Sequence, residues 1–255
     1  MTYDGRGLKF GTVADLYDRY RPSPPIEAVE LFGDLTGREV LEVGAGTGLW
    51  TRFLLGLGAS MTIVEPDADM RAVLERHSPH VRSLAGRAEE LPVADALYDA
   101  VVVTSAWHWF EQPEATNEMA RVLRDGGKLY VLWNGFSRDV SWVQELTKLR
   151  ENPGDRHARP RGWVADLGRG GLLNRRDSLF VDVVDVEIDW TWVRSSEELL
   201  AVFGTYSGAI VKTEAQRHAM DLELRRRIEQ VAQAGVVQVP MTLRGTVATR
   251  STRHH

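Results

Sequence analysis

The sequence predicts an α/β fold, a doubly wound and mostly parallel sheet, and three observations carry that expectation. Short runs rich in valine, leucine and isoleucine recur from Arg38 to about Trp133: "REVLEVG", "ASMTIVEP", "VRSLAG", "YDAVVVTSA" and "GKLYVLWN". Stretches with apolar residues at helical spacing lie between them. A glycine-rich turn, "LEVGAGTGLW", joins the first run to the first of those stretches. The run "DAVVVT" has no polar alternation, which suits a strand covered by helices on both faces. Repeated alternation of strand and helix folds as an open sheet wound in both directions.

The elements follow in order. Leu49, Trp50, Phe53, Leu54 and Leu57 form an apolar stripe after the glycines, so a helix is expected there. Asp67 precedes a second helical pattern with Met70, Val73, Leu74 and His77 on one face. Its carboxylate can accept hydrogen bonds from the free N–H groups of a first turn. Ala115, Met119, Val122 and Leu123 make a third stripe, stopped by "DGG", because glycine supplies the left-handed residue that ends a helix. Glu89 and Glu90 suit a polar helix start. Residues 151–177, rich in arginine, glycine and proline without a clear period, predict a long loop or broken helical insert. From Val184 to Trp192 apolar residues alternate with Asp185, Glu187, Asp189 and Thr191, the pattern of a strand with one wet face. A helix over about 214–233 and a strand over about 241–249 complete the chain. A single domain is expected, with cap helices in 1–37, a cofactor-binding core in 38–134, an insert or lid in 135–180 and a completing part in 181–255.

Composition narrows the function. The chain has 255 residues, 43% hydrophobic and 26% charged, with a formal charge of −5. Net acidity argues against non-specific nucleic-acid binding, which rests on neutralising phosphates. No apolar run approaches the length of a membrane span, and "MTYDGRGLKFG" lacks the apolar core of a signal peptide. With no cysteine, the chain forms no disulfide and has no thiol nucleophile or thiolate metal ligand, which fits a cytoplasmic protein. His77 and His80 are three apart but have no evident third ligand, so no metal is expected.

The glycine turn selects among nucleotides. A phosphate-binding loop needs GxxxxGK, and no lysine follows Gly48. The dinucleotide fingerprint is GxGxxG, whereas Gly44, Gly46 and Gly48 read GxGxG. Glu65 ends the second strand, where an acid can accept from both ribose hydroxyls of either NAD or S-adenosylmethionine. Taken alone, the spacing leaves both open.

"VLEVGAGTG", with Glu42 two residues before the first glycine, resembles motif I of the class I S-adenosylmethionine-dependent methyltransferases. "VEPDADM" resembles their second motif, and "GRAEELPVADALYDAVVVTSAWHWF" resembles the third and fourth. "VADLYDRYRPSPP" and "TYSG…VPMTLRGTVATR" are similar to a small-molecule subgroup that includes trans-aconitate-methyltransferase-like proteins. The chain departs from that pattern at Ser23-Pro24, where the subgroup often has Tyr-Pro, and at Arg87, where many relatives carry an acid. The resemblance implies a seven-stranded sheet, six strands parallel and one antiparallel. It also implies S-adenosylmethionine as cofactor and S-adenosylhomocysteine as product. Gly44, Gly46 and Gly48 would let backbone approach the methionine moiety. Glu42 would bond near its amino group or fix the loop, and Glu65 would hold the ribose. Pro66 and Met70 would pack on adenine, and Ala88 and Glu89 would read its edge. Arg21 would face the methionine carboxylate, and Thr104 would line the cofactor site.

Trp107, Trp109 and Trp133 follow the carboxyl ends of the fourth and fifth strands, where open α/β sheets bind ligands. They are expected to wall the acceptor site, whereas Trp50, Trp190 and Trp192 are expected to pack internally. His108 lies between two tryptophans. Three roles are open to it: general base, anchor for a substrate carboxylate together with the Trp109 indole, as in the similar pair of plant carboxyl methyltransferases, or loop cap. The segment Arg150–Arg176 carries seven arginines and can act as a solvated loop or as a lid that attracts an anionic small molecule. The expected activity is methyl transfer to an oxygen or nitrogen of a small molecule. The alternatives are an NAD-dependent oxidoreductase, or a cofactor-binding scaffold with another activity.

Overall fold

A computed structural model describes residues 14–150, 179–210 and 212–252, and these divide into two compact units. The first comprises 23–134, 179–188 and 243–252. The five expected runs form β1 (Glu39–Val43), β2 (Ser60–Val64), β3 (Arg82–Leu84), β4 (Tyr98–Thr104) and β5 (Leu123–Phe136). With β6 (Phe180–Ser195) and β7 (Val236–Arg250) they make a seven-stranded sheet in the order β3-β2-β1-β4-β5-β7-β6. Every pairing from β3 to β5 is parallel. Thr246 donates to Asp185 at 3.2 Å and Thr242 to Asp189 at 2.8 Å, so β7 advances as β6 recedes. That pair is antiparallel, and the sheet is mixed.

Parallel pairing explains the buried runs. Val40, Leu41, Val101, Val102 and Val103 have no exposed surface, because helices cover both sides. The helices are α2 (Val29–Phe32), α3 (Leu49–Gly56), α4 (Ala68–His77) and α5 (Glu114–Val122). Trp50 and Leu54 of α3 pack with Phe32, Leu35 and Met61 on one face. Met119, Ala120 and Val122 of α5 pack with Val101, Val103 and Leu129 on the other. Each fully buried aliphatic side chain contributes roughly 1.5–3 kcal/mol. Asp67 caps α4 as expected, accepting from the N–H groups of Asp69 at 3.0 Å and Met70 at 3.1 Å. The third stripe ends one residue early. Leu123 already belongs to β5, and "DGG" lies inside that strand where the pairing register with β4 shifts.

The second unit comprises 14–22, 135–150, 189–210 and 212–242. It contains α1 (Ala14–Tyr20), α6 (Ser141–Arg150), α7 (Ser196–Gly204), α8 (Ser207–Ile210) and α9 (Glu214–Val231). Its core joins Leu199, Val202 and Phe203 of α7 to Leu224 and Ile228 of α9 and to Trp192. Capping boxes start α7 at Ser195 with Glu198, and α9 at Thr213 with Gln216, each satisfying two otherwise free N–H groups. The arginine-rich segment 151–177 lies outside the described residues.

Candidate functional site

The parallel register aligns Val43 with Val64 and Glu42 with Val102, so the carboxyl ends of β1, β2 and β4 share one edge. The chain leaving β1 turns there through Gly44, Gly46 and Gly48, whose φ angles are 72°, 57° and 83°. That left-handed region favours glycine. Beyond backbone freedom, the three glycines meet different surroundings. A Cβ on Gly44 would lie 2.6 Å from the Ala106 Cβ, and one on Gly48 would lie 2.8 Å from Leu74 Cγ. These two are fixed by internal packing. A Cβ on Gly46 would meet nothing within 4 Å. Of the three, Gly46 borders open space.

Two buried carboxylates stand at the turn. Glu42 is wholly buried. Its Oε2 accepts from Thr51 Oγ1 at 2.6 Å, and its Oε1 has no hydrogen-bond partner among the described residues. Burial pushes this carboxyl up to about 8, against the Thr51 bond; the Glu65 charge adds to the rise and Arg52 opposes it. Glu65 is differently served. Its Oε2 accepts from the Gly46 N–H at 2.8 Å and its Oε1 from the Asp67 N–H at 2.9 Å. Burial raises it as well, while those N–H bonds hold it down. Beyond Glu65, Pro66 is exposed and Met70 is buried.

Ala88 and Glu89 occupy a tight turn bridged by Arg87 and Glu90, so the polar helix start that Glu89 and Glu90 suit does not form there. Ala88 is buried. Glu89 Oε1 accepts from the Glu111 N–H at 2.8 Å, and its Oε2 lies 3.2 Å from Arg87 Nε, so its side chain ties two loops together. The segment after this turn is held from α5. Leu91 N–H donates to Glu118 at 2.8 Å, while Arg121 donates to the carbonyls of Leu91 at 3.0 Å and Val93 at 2.9 Å. The Glu118–Arg121 pair was not anticipated. Its i,i+3 spacing is legible in the sequence, but nothing in that spacing names a loop as its second partner. Thr51, Ala106 and Leu74 were likewise missed as supports of the turn.

Thr104 ends β4 half-buried. Ser105 then adopts φ 54° with its N–H on the Leu132 carbonyl at 2.8 Å, and a single 3-10 turn carries Trp107–Trp109. Trp107 is buried in the sheet's core cluster, with its ring 6.1 Å from that of Phe110. His108 and Trp109 are partly exposed, and their rings lie 4.6 Å apart. Trp133 on β5 packs partly buried against the same cluster. Trp50 and Trp192 are buried as expected. Arg21 belongs to the other unit, where it donates to Thr205 Oγ1 at 2.9 Å and to the Thr205 carbonyl at 3.2 Å. Its guanidinium lies 3.6 Å from the Tyr206 ring centroid.

Comparison with known proteins points to methyltransferases. Residues 41–131 match the family model described as a methyltransferase domain. An uncharacterized methyltransferase of Mycobacterium tuberculosis is 41% identical over 148 residues, covering 58% of this chain and 61% of the relative. The chain thus spans less than two thirds of that relative's length. An uncharacterized methyltransferase of Schizosaccharomyces pombe is 27% identical over 234 residues, 89% of this chain and 90% of its own. The solved structure of a proposed type II methyltransferase from Anaeromyxobacter dehalogenans has a TM-score of 0.61 at 20% identity, covering 92% of this chain and 100% of that one. That last likeness is one of fold. What these matches share is a methyltransferase domain, to which residues 41–131 of this chain are similar.

The glycine surroundings give a first expected outcome. Gly44→Val and Gly48→Val should lower the thermal midpoint and the yield of folded protein, since each adds bulk against packed neighbours. Gly46→Ala should cost only about 1 kcal/mol of backbone strain, and thermal unfolding of the three variants checks the order. A second concerns pH. The folded-state carboxyls of Glu42 and Glu65 are raised, so the folded protein binds more protons than the unfolded chain above ordinary carboxylate values. Their stabilising contribution is full below the ordinary carboxylate range and is lost as pH rises through their raised values, about 8 for Glu42. The lowered carboxyls of Asp99 and Glu118 act in the opposite sense, at more acid pH. Between pH 5 and 8 the midpoint should fall, and Glu42→Gln should flatten that fall.

Proposed function

We propose that the protein transfers a methyl group from S-adenosylmethionine to an oxygen or nitrogen of a small molecule in the cytoplasm. The observation that carries this reading is the open backbone at Gly46, whose N–H is held by Glu65. The residues fit the cofactor on three counts. The turn leaves space at Gly46, Glu42 Oε1 is a buried acceptor without a partner among the described residues, and each Glu65 oxygen retains a lone pair beyond its N–H bond. When bound, S-adenosylmethionine supplies a methyl group already activated by its sulfonium leaving group.

The chain's own residues have positioning work. Glu65 would accept from the ribose hydroxyls and Glu42 from the α-ammonium group. Pro66, Met70, the Ala88 backbone and the Glu89 region would bound the adenine. Thr104 would line the cofactor site. His108 and Trp109, partly exposed after β4, are the proposed acceptor contacts, with Trp107 and Trp133 forming the wall beside them. Alignment of nucleophile and methyl group, with water kept out, accounts for most of what such a site must supply. The arginines of 151–177 favour an anionic acceptor, and the terminal motifs favour the trans-aconitate-methyltransferase-like subgroup.

Calorimetry tests the cofactor: S-adenosylhomocysteine should bind and NAD should not, and the reverse would overturn the reading. Glu65→Ala should weaken S-adenosylhomocysteine binding by about 1–3 kcal/mol, the value of hydrogen bonds to a charged group, with the fold intact by circular dichroism. Once an acceptor is found by a methyl-transfer screen, His108→Ala should keep cofactor affinity and lose turnover or acceptor affinity. Loss of a near-neutral ionisation from the kcat profile would mark a base, and a raised KM would mark an anchor.

A further inference from the structure

Glu42 is placed where an ionised carboxylate is costly. It has no exposed surface, one of its oxygens has a single hydroxyl donor in Thr51, and the other has no partner among the described residues. A buried charge without full hydrogen bonding is disfavoured strongly enough that such a group usually becomes neutral instead. The charged groups acting on it come from two neighbouring elements. Glu65, after β2, repels a second negative charge, while Arg52 on α3 attracts one. Arg52 also donates to the Thr47 carbonyl at 3.1 Å. Glu65 accepts two backbone N–H bonds, which favour its ionised form, so the negative charge of the pair is better held there.

We propose that Glu42 is a neutral carboxylic acid in the ligand-free protein and becomes a carboxylate when an α-ammonium group binds in the glycine turn. The exchange balances: carboxylic acid and ligand ammonium become a carboxylate–ammonium pair, and one proton passes to solvent. Glu42 is then the residue that reads the amino-acid end of the ligand by charge, whereas the adenosine end draws no proton from the protein. The inference rests on the cofactor reading above. Because Glu42 and Glu65 interact, their titration is shared, and variants must separate them.

The test is isothermal calorimetry of the full chain near pH 7 in phosphate and in Tris, whose different ionisation heats reveal protons released on binding. Two probes are used: S-adenosylhomocysteine, which carries the α-ammonium group, and 5′-methylthioadenosine, which lacks it. Wild type should release roughly one proton per S-adenosylhomocysteine bound and none with methylthioadenosine, and the release should fade towards pH 9. Glu42→Gln should bind S-adenosylhomocysteine without release, and Glu65→Gln should bind more weakly but still release. Binding of S-adenosylhomocysteine to wild type without proton exchange overturns the proposal and leaves the cofactor reading standing. Equal release from both probes, or undiminished release in Glu42→Gln, overturns it too. Absence of any binding heat from S-adenosylhomocysteine in either buffer and at two temperatures overturns the cofactor reading itself.

Discussion

A parallel strand cannot return to its neighbour through a hairpin, and the sheet-bearing unit is organised by that constraint. Each strand must cross the sheet and re-enter at the same end, so β1, β2 and β4 all finish on one edge. In the turns beyond them, side chains serve backbone groups that the strands do not reach: Glu65 holds Gly46 and Asp67, and Glu89 holds Glu111. The opposite edge solves the same problem differently. Asp99 accepts from the Glu39 N–H at 2.9 Å and pairs with Arg124 at 2.7 Å. Burial works against its charge, yet Arg124, the Glu39 N–H and Arg38 hold its carboxyl below the usual range. At the carboxyl edge burial outweighs the donors and cations, and Glu42 and Glu65 rise. One fold thus carries a neutralised edge and an electrostatically unfinished one.

What could be read from the sequence follows the same division. Parallel strands buried on both faces produce unbroken apolar runs, and the five runs from "REVLEVG" to "GKLYVLWN" locate β1 to β5 within a few residues. Asp67 announces its cap because the interaction is local. The helices α6, α7 and α8 gave no comparable signal, since their apolar faces are completed by residues distant in the chain. Glu89 and Glu90 suit a helix start as well as a turn, because acidic residues are at home in both, and only the Arg87–Glu90 bridge decides between them. In the site, the glycines and Glu65 were legible from spacing, and Glu42 from the resemblance to motif I. The reasons for Gly44 and Gly48 were not, because Ala106 and Leu74 approach from other elements.

The argument for Glu42 depends on more than an unsatisfied atom. Tyr98 at the start of β4 also buries a hydroxyl without a partner among the described residues, and it implies no ligand. A neutral hydroxyl left unpaired costs about 1–3 kcal/mol, which a core as extensive as this one can absorb. A carboxyl differs because it can change charge. It is held as an acid at modest cost while nothing positive is near, and as an ion once a cation arrives. Glu42 lies two residues before a turn whose middle glycine faces open space, and Tyr98 lies at the other end of the sheet. What distinguishes the site is therefore a buried group whose preferred charge depends on what occupies its surroundings, next to a place where something can enter.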